Sequence, residues 1–388
     1  MLSIEVIESD ARFARLSGEW PALLTASAAD CPFLTWEWLS AWWRHLSTNR
    51  RLHVLALREG GDLIGVAPFA LRPPEITRLL PFRVLEFLGT GYVGSDYLDL
   101  IVAHGSKARV IDEVADYLDS RSMALDLSRI RSNSLSMDLL GVLEGSNRWL
   151  SRRGASEVCP YVKLGSKSWD AYLGSLGASH RYNVRRRLRN LSRRFTMRFV
   201  QAQTEAECAD WLEVLIRLHT QRRESGLERS TAFHQTALVR FHRQFTILAL
   251  RRGWLRLQLL LLDEAPAAAL YGLKYGGTFY FYQSGFDPGF SRYSIGLATL
   301  ALAIRGAIAE GADEFDMLHG DESYKFLWAR DVHALARHTA FPPGLRGSVC
   351  HSLLGLREHL KRLPGAASSR PAAALAPPAA EADAQGLD

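Results

Sequence analysis

Six side chains able to move a proton or hold an anion lie close together late in the chain. They are Asp316, His319, Asp321, Glu322, Tyr324 and Lys325, and they occupy and follow the short apolar run EFDML. Carboxylates, an imidazole, a phenol and an ammonium are the groups from which general acid–base catalysis is assembled. The residues also allow a plainer reading, in which Asp316 points to solvent on an alternating strand and Asp321 and Glu322 form a polar turn. Earlier, the segment HRYNVRRRLRNLSRRF carries Arg185, Arg186, Arg187, Arg189, Arg193 and Arg194. Of these, Arg185, Arg189 and Arg193 recur at helical spacing, a stripe that either steers a phosphorylated acceptor, an acyl carrier protein or tRNA, or is simply a solvated face. Asp287 before Pro288 reads as a turn-former.

Other chemistries have no residues to support them. There is no P-loop, HExxH, GxSxG or EF-hand pattern, and the 12 histidines show no ligand spacing, so no metal is expected. Cys31, Cys159, Cys208 and Cys350 form no CxxC pair, which argues against a disulfide framework and a zinc site and fits a reducing cytoplasm. The net charge of +6 is too modest to demand nucleic acid, and DNA is not expected as a partner. The start, MLSIEVIESDARF, lacks a basic leader with an apolar core, and no apolar run is long enough for membrane insertion.

The 388 residues suggest two domains of similar size. LSIEVI alternates like a strand. A helix is expected from Asp10 to about Ser27, then a second one, TWEWLSAWWRHL, whose Trp36, Trp38, Trp42 and Trp43 suit a packed face. RLHVLALRE and DLIGVAPFALR form a hairpin turning at Gly60 and Gly61. After a Pro-rich connection come VLEFLGT, YLDLIVA, a helix from Lys107 to Asp119, the strand MALDLSRI, a long helix to Arg153 and a strand near VCPYVKL. From FTMRFVQA the order repeats. Thr204 and Glu207 make a capping box for a helix through Gln221, and another helix covers Ala232 to Phe245. WLRLQLLLL, AAALYGLKY and TFYFYQSGF form a meander, and a helix from Ser294 to Glu310 precedes EFDML. Between the copies lie a short helix, Trp169 to Leu176, and the arginine-rich helix, which docks Val184, Leu188, Leu191 and Phe195. The boundaries expected are 1–165, 166–345, a C-terminal helix over 346–363 and a disordered Ala/Pro-rich tail over 364–388.

The stretch FYQSGFDPGFSRYSIGLATLALAIRGAIAEGADEFDMLHGDESYKFLWA, with the upstream YNVRRRLRNL, resembles the core of the BioF2-like or CelD (BcsL)-type acetyltransferases. These are a branch of the GNAT superfamily related to the FemAB aminoacyl ligases. The resemblance covers about residues 165 to 330. It implies an α/β fold of two tandem GNAT-like domains, each a mixed twisted sheet flanked by helices. It also implies an N-acyltransferase that moves an acetyl or acyl group from acyl-CoA to an amine on a small molecule, an amino sugar or a cell-envelope precursor, as in exopolysaccharide or cellulose biosynthesis. By the same resemblance the donor is held by Gln283 and Ser284 at a strand end and by Arg292, Ser294, Ile295 and Gly296 where the next helix opens. Helix-start N–H groups there would face the pyrophosphate, and Gly296 would let it approach.

After Arg292 only Gly296 falls in a glycine position of the superfamily's loop, so an acyl carrier protein or an aminoacyl-tRNA stands as an alternative donor. On the bland reading Ser294 merely caps and Gly296 merely packs. Asp316 or His319 would accept the amine's proton. Tyr324 would protonate the departing thiolate, and Lys325 would steady the oxyanion or an acceptor phosphate. Arg185, Arg186 and Arg189 would hold the acceptor or its phosphates. The remaining readings are FemAB-like transfer from aminoacyl-tRNA and a non-catalytic scaffold.

Overall fold

The computed structural model describes residues 2–72, 83–147, 149–165, 167–226 and 232–362. The first half runs β1 (Leu2–Ile7), α1 (Asp10–Arg15), α2 (Trp20–Thr25), α3 (Trp36–Leu46), β2 (Arg51–Glu59), β3 (Asp62–Leu71), β4 (Val84–Phe87), β5 (Ile101–Val102), α4 (Lys107–Arg121), β6 (Ala124–Arg131), α5 (Leu135–Asn147) and β7 (Leu150–Lys163). The second half runs α6 (Trp169–Ser175), α7 (Ala178–Arg194), β8 (Met197–Gln201), α8 (Glu205–Glu224), α9 (Thr236–Arg251), β9 (Leu255–Leu262), β10 (Ala265–Tyr275), β11 (Thr278–Phe286), α10 (Ile295–Ala309), β12 (Glu314–Asp316), β13 (Asp331–Phe341) and α11 (Leu345–Arg362).

The same plan appears twice. In each half an antiparallel meander ends in a strand, β4 or β11, that pairs in parallel with the strand after the next long helix, β6 or β12. The fold is thus mixed α/β with helices flanking a large mixed sheet. Among the described residues 13 strands share that one sheet, in the order β1-β2-β3-β4-β6-β13-β7-β12-β11-β10-β9-β8 with β5 on β3. At its centre the halves exchange strands. β13, from the end of the second half, pairs with β6 of the first, while β7 pairs with β12 of the second, and β7 and β13 also pair with each other. Each half is therefore completed by the other.

Aromatic packing reinforces the junction. On α3, Trp38 and Trp42 are fully buried. Trp38 meets Phe241 and Phe245 of α9 edge-on at 4.9 and 4.7 Å, geometry in which aromatic pairs gain beyond the area they bury. The tryptophan-rich helix is thus a packed face between halves. On α8 the capping box of Thr204 and Glu207 is formed on both sides.

Several elements depart from the sequence reading. The helix expected from Asp10 to Ser27 is broken into α1, a short 3₁₀ turn (Leu16–Gly18) and α2. Pro21, near the start of α2, has no N–H to continue the earlier helix. The helix expected to run to Arg153 stops at Asn147, because Arg152 and Arg153 lie on β7 and face Thr339 and His338 of β13. Only Ile101 and Val102 of YLDLIVA form a strand. The strand β13 is absent from the sequence reading. Its histidines and arginine interrupt alternation, and only pairing with two neighbours makes it a strand. The Pro-rich connection after Arg72 and the tail beyond Arg362 lie outside the described residues. Among the described residues no helix is long and apolar enough to cross a membrane.

Candidate functional site

Strands β11 and β12 pair over only three residues, from Thr278 and Glu314 to Tyr280 and Asp316. Beyond that the loop of the first half meets both strands, the Tyr282 hydroxyl donating to the Val93 carbonyl and the Tyr97 hydroxyl to Asp316, and a wedge lies between the end of β11 and the start of α10. A bulge at Tyr282, which is skipped between the partners of Gly272 and Tyr271, re-aims the end of β11. Helix α8 comes so close behind Gly285 that a Cβ there would lie 2.5 Å from the His219 backbone nitrogen. The glycine is therefore a packing requirement.

The wedge holds a cavity of about 230 Å³ between Ser284, Gly285 and Phe286 of β11, Gly296 and Thr299 of α10, and a cap made of His180, Tyr324 and Trp328. Ser294 enters α10 in the left-handed region (φ 55°), with no side-chain cap. Among the described residues the amides of Ile295, Gly296 and Leu297 have no acceptor; the first turn's earliest bond is Ala298 N–H to the Ser294 carbonyl. A Cβ on Gly296 would meet only the Phe286 ring, at ordinary contact distance (3.4 Å). The protein's own packing thus does not require glycine here, and the residue leaves room on the cavity side. Unbonded amides, a helix start and a cavity together suit an anionic group.

Of the residues expected to hold the donor, Ser284 and Gly296 line this cavity. Gln283 is turned back to accept the Ser284 N–H at 2.9 Å. Ile295 does not line the cavity, and its side chain is buried. Arg292 does not line the cavity; it is exposed and stacks on Tyr293 at 4.8 Å. Asp287 caps the following 3₁₀ turn through the Gly289 N–H, as a turn-former should.

The expected catalytic residues separate into distinct environments. Asp316 is wholly buried rather than facing solvent. Its Oδ2 accepts from the Tyr97 hydroxyl of the first half at 2.6 Å and its Oδ1 from the Leu318 N–H at 2.8 Å. Burial outweighs these two bonds and pushes its carboxyl up to about 7. His319 is one-third exposed, and both its backbone N–H and its Nδ1 contact Asp96 Oδ2, at 2.9 and 3.0 Å. Lys325 is buried, with Nζ bonded to the carbonyls of Leu318 and His319 and ion-paired to Glu322. Its three hydrogens thus clamp the turn after β12. Tyr324, more than one-third exposed, is the member of the cluster that lines the cavity. Asp321 and Glu322 are exposed.

On α7, Val184 and Leu191 are fully buried, while Arg185, Arg186 and Arg189 are exposed. Arg186 stacks on Tyr182 and Arg185 lies 3.9 Å from Asp170. None of the three lines the cavity, but His180 at the start of the same helix does. Sequence reasoning missed His180, Arg222 and Asp96. The His180 Nε2 is buried without a partner among the described residues, and burial lowers the ring's pKa. Arg222 lines the cavity and lies over Phe286 at 4.7 Å. His180 adjoins the arginine run, which offered a signal. Asp96 lies in the glycine-rich GYVGSDYLDL, far from its partner in sequence, and only the fold joins them.

The first half has a wedge of its own where β4 and β6 part after two pairs. Its cavity, about 360 Å³, is lined by Arg72, Glu86, Thr90, Asp126, Arg129 and Arg337 among others. Asp126 is ion-paired to Arg72 and, at 2.6 Å through both oxygens, to Arg337. Burial opposes its charge, yet these guanidiniums hold its carboxyl below the usual range. Glu86 pairs with Arg50, and Glu157 with Arg129 at 3.0 Å.

Residues 178–326, which contain the second wedge, match the family model described as an acetyltransferase (GNAT) domain. The second half carries a GNAT-type domain. Among solved structures the chain resembles FemX at a TM-score of 0.57 and 11% identity, over 90% of this chain and 99% of that one. It also resembles a conserved protein of unknown function from Bacteroides thetaiotaomicron (0.53, 11%, 87% and 100%). A third likeness is the C-terminal domain of a putative lysylphosphatidylglycerol synthetase from Agrobacterium fabrum (0.52, 10%, 92% and 99%). At such identities the likeness is one of fold, and it spans both halves and not the GNAT-type domain alone. No curated protein matches the sequence.

Proposed function

We propose that the GNAT-type domain transfers an acyl group from acetyl-CoA or a longer acyl-CoA to an amine. The observation that carries this reading is the cavity between the end of β11 and the start of α10, lined by Gly296 and Leu297, whose amides, like that of Ile295 beside them, are unbonded among the described residues. These amides would receive the pyrophosphate, since Arg292 does not line the cavity. The acyl arm would then run along Ser284 toward Tyr324, whose hydroxyl would protonate a departing thiolate. His319 is the better proton acceptor of the two expected, because Asp316 is sealed from solvent and holds its proton to about pH 7. Lys325 steadies the turn that carries His319.

As acceptor we favour an amino sugar or polysaccharide precursor, with the protein acting in the cytoplasm as a BioF2-like or CelD-type enzyme. We take 1–165 and 166–345 as its working halves. Calorimetric titration with acyl-CoAs of graded length tests the reading. Binding that is abolished by filling the cavity supports it, and no heat with any acyl-CoA rejects it.

The exposed arginines of α7 favour a second reading, in which the donor is aminoacyl-tRNA. They share α7 with His180, which lines the cavity from the helix's buried side, beside Val184 and Leu191, while the arginines face away from it. tRNA binding would then fall steeply with salt and weaken when Arg185, Arg186 and Arg189 become alanine. Absence of binding at low salt removes it.

A further inference from the structure

The geometry points to Asp96, from the first half, as the residue that positions His319 of the second half for proton abstraction. The inference rests on the acyl-transfer reading and makes the catalytic apparatus a product of both halves.

Asp96 lies in the loop between β4 and β5 and is fully buried. Its Oδ2 accepts two hydrogen bonds from one residue, the backbone N–H of His319 at 2.9 Å and the ring Nδ1–H at 3.0 Å. This double hold fixes the ring's orientation and selects the tautomer with its proton on Nδ1, leaving a lone pair on Nε2. Among the described residues the ring's recorded contact is the one at Nδ1, and the side chain is one-third exposed. Gly94, at φ 73°, lets the ring lie against the loop; a Cβ there would come within 3.3 Å of His319 Cε1. From the other side Lys325 Nζ holds the His319 carbonyl at 2.8 Å.

The carboxylate stays ionised. Burial opposes its charge, but His319 and Arg129, 3.6 Å from Oδ1, keep its carboxyl below the usual range. Oδ1 itself makes no hydrogen bond. A buried carboxylate with one oxygen unbonded is a poor stabilising device. Its bonds go to His319 and, at 3.8 Å, to the Cys159 thiol, so orienting the imidazole is what it accomplishes.

In the reaction, Nε2 takes one proton from the acceptor's ammonium group. The freed nitrogen lone pair forms the bond to the thioester carbonyl carbon, and the carbon–sulfur bond breaks. The second proton on nitrogen passes through the Tyr324 hydroxyl to the leaving sulfur, which departs as a thiol, while the imidazolium returns its proton to water. Asp96 touches none of the reacting atoms and acts through His319 alone.

Nitrogen-15 NMR of the His319 ring in the full chain is the first test. The wild type is expected to show the Nδ1–H tautomer, and Asp96→Asn to lose it. Kinetics with acetyl-CoA and glucosamine as probe acceptor is the second. Asp96→Asn is expected to lower kcat about 10²-fold with KM for acetyl-CoA unchanged, and to lower nothing further when His319 is already alanine. Equal losses in both backgrounds, or an unchanged tautomer, overturn the proposal. Should Asp96→Asn fail to fold, the wild-type spectrum decides, since a ring protonated on Nε2 contradicts it. The spectrum needs no substrate. Failure of transfer to every amine while the Nδ1–H tautomer stands would therefore count against the acyl-transfer reading and not against the hold of Asp96 on His319.

Discussion

The two wedges arise from the same topology and are equipped in opposite ways. In the first half the cavity where β4 and β6 part is lined by ion pairs, with Asp126 held between Arg72 and Arg337. In the second half the space between β11 and α10 keeps unbonded helix amides and a mostly apolar lining under a cap of His180, Tyr324 and Trp328. Each parallel strand presents a buried aspartate near its wedge, Asp126 on β6 and Asp316 on β12. Arginines hold the carboxyl of Asp126 below the usual range, whereas Asp316, with a tyrosine and one amide as partners, is pushed up to about 7. The backbone device is shared. The side chains make one cavity ionic and leave the other mostly apolar.

The largest expected effect falls on the first wedge. Asp126→Ala would leave the partly exposed Arg72 and Arg337 facing each other with no carboxylate, and is expected to destabilise by about 2–3 kcal/mol in denaturant unfolding. Acetyl-CoA affinity of the protein that remains folded should be unchanged; a matching loss of affinity would erase the division of labour between wedges. Next comes Gly296→Val, which fills the cavity side of α10. It should weaken acetyl-CoA binding about tenfold or more by calorimetry and alter stability by no more than about 1 kcal/mol. The equivalent insult in the first wedge, Thr90→Val, should leave that affinity alone.

The two aspartates also predict opposite pH dependences. Asp126 binds its proton less tightly folded than unfolded, so its contribution is present above the unfolded carboxylate value and is lost as pH falls through the folded one. Asp316 binds its proton more tightly folded, so stability falls as pH rises from about 3.8 to about 7 and levels off above. Asp316→Asn should flatten that decline relative to wild type in unfolding midpoints measured across the window. A slope identical to wild type would show that the Asp316 carboxyl is not raised. The smallest effect is expected on α7. Alanine at Arg185, Arg186 and Arg189 should change stability by less than about 0.5 kcal/mol, because these side chains are exposed, and its effect on tRNA binding separates the two donor readings.

Much of this arrangement was legible in the sequence, where local pattern decided it. TFYFYQSGF is a strand over all nine of its residues, and the helix after Ser294 begins and ends within a residue of its pattern. The polar cluster after EFDML was found because a strand end is a fixed address. Non-local pairing stayed hidden. The exchange of β7 and β13 needs a strand whose own alternation is poor, and the contact between Asp96 and His319 spans the two halves. Burial was hidden too, since nothing local distinguishes Asp316, sealed behind Tyr97, from the exposed Asp321. Lys325 reads as a free cation in sequence and proves to be a clamp only when the carbonyls of Leu318 and His319 turn toward it.

The most direct test is amide NMR of the full chain titrated with acetyl-CoA. Saturable shifts at Ile295, Gly296 and Leu297, with Thr90 and Gly91 in the first wedge unmoved, are the expected result. Saturation that leaves the α10 amides in place, or shifts confined to the first wedge, would contradict donor docking at the second.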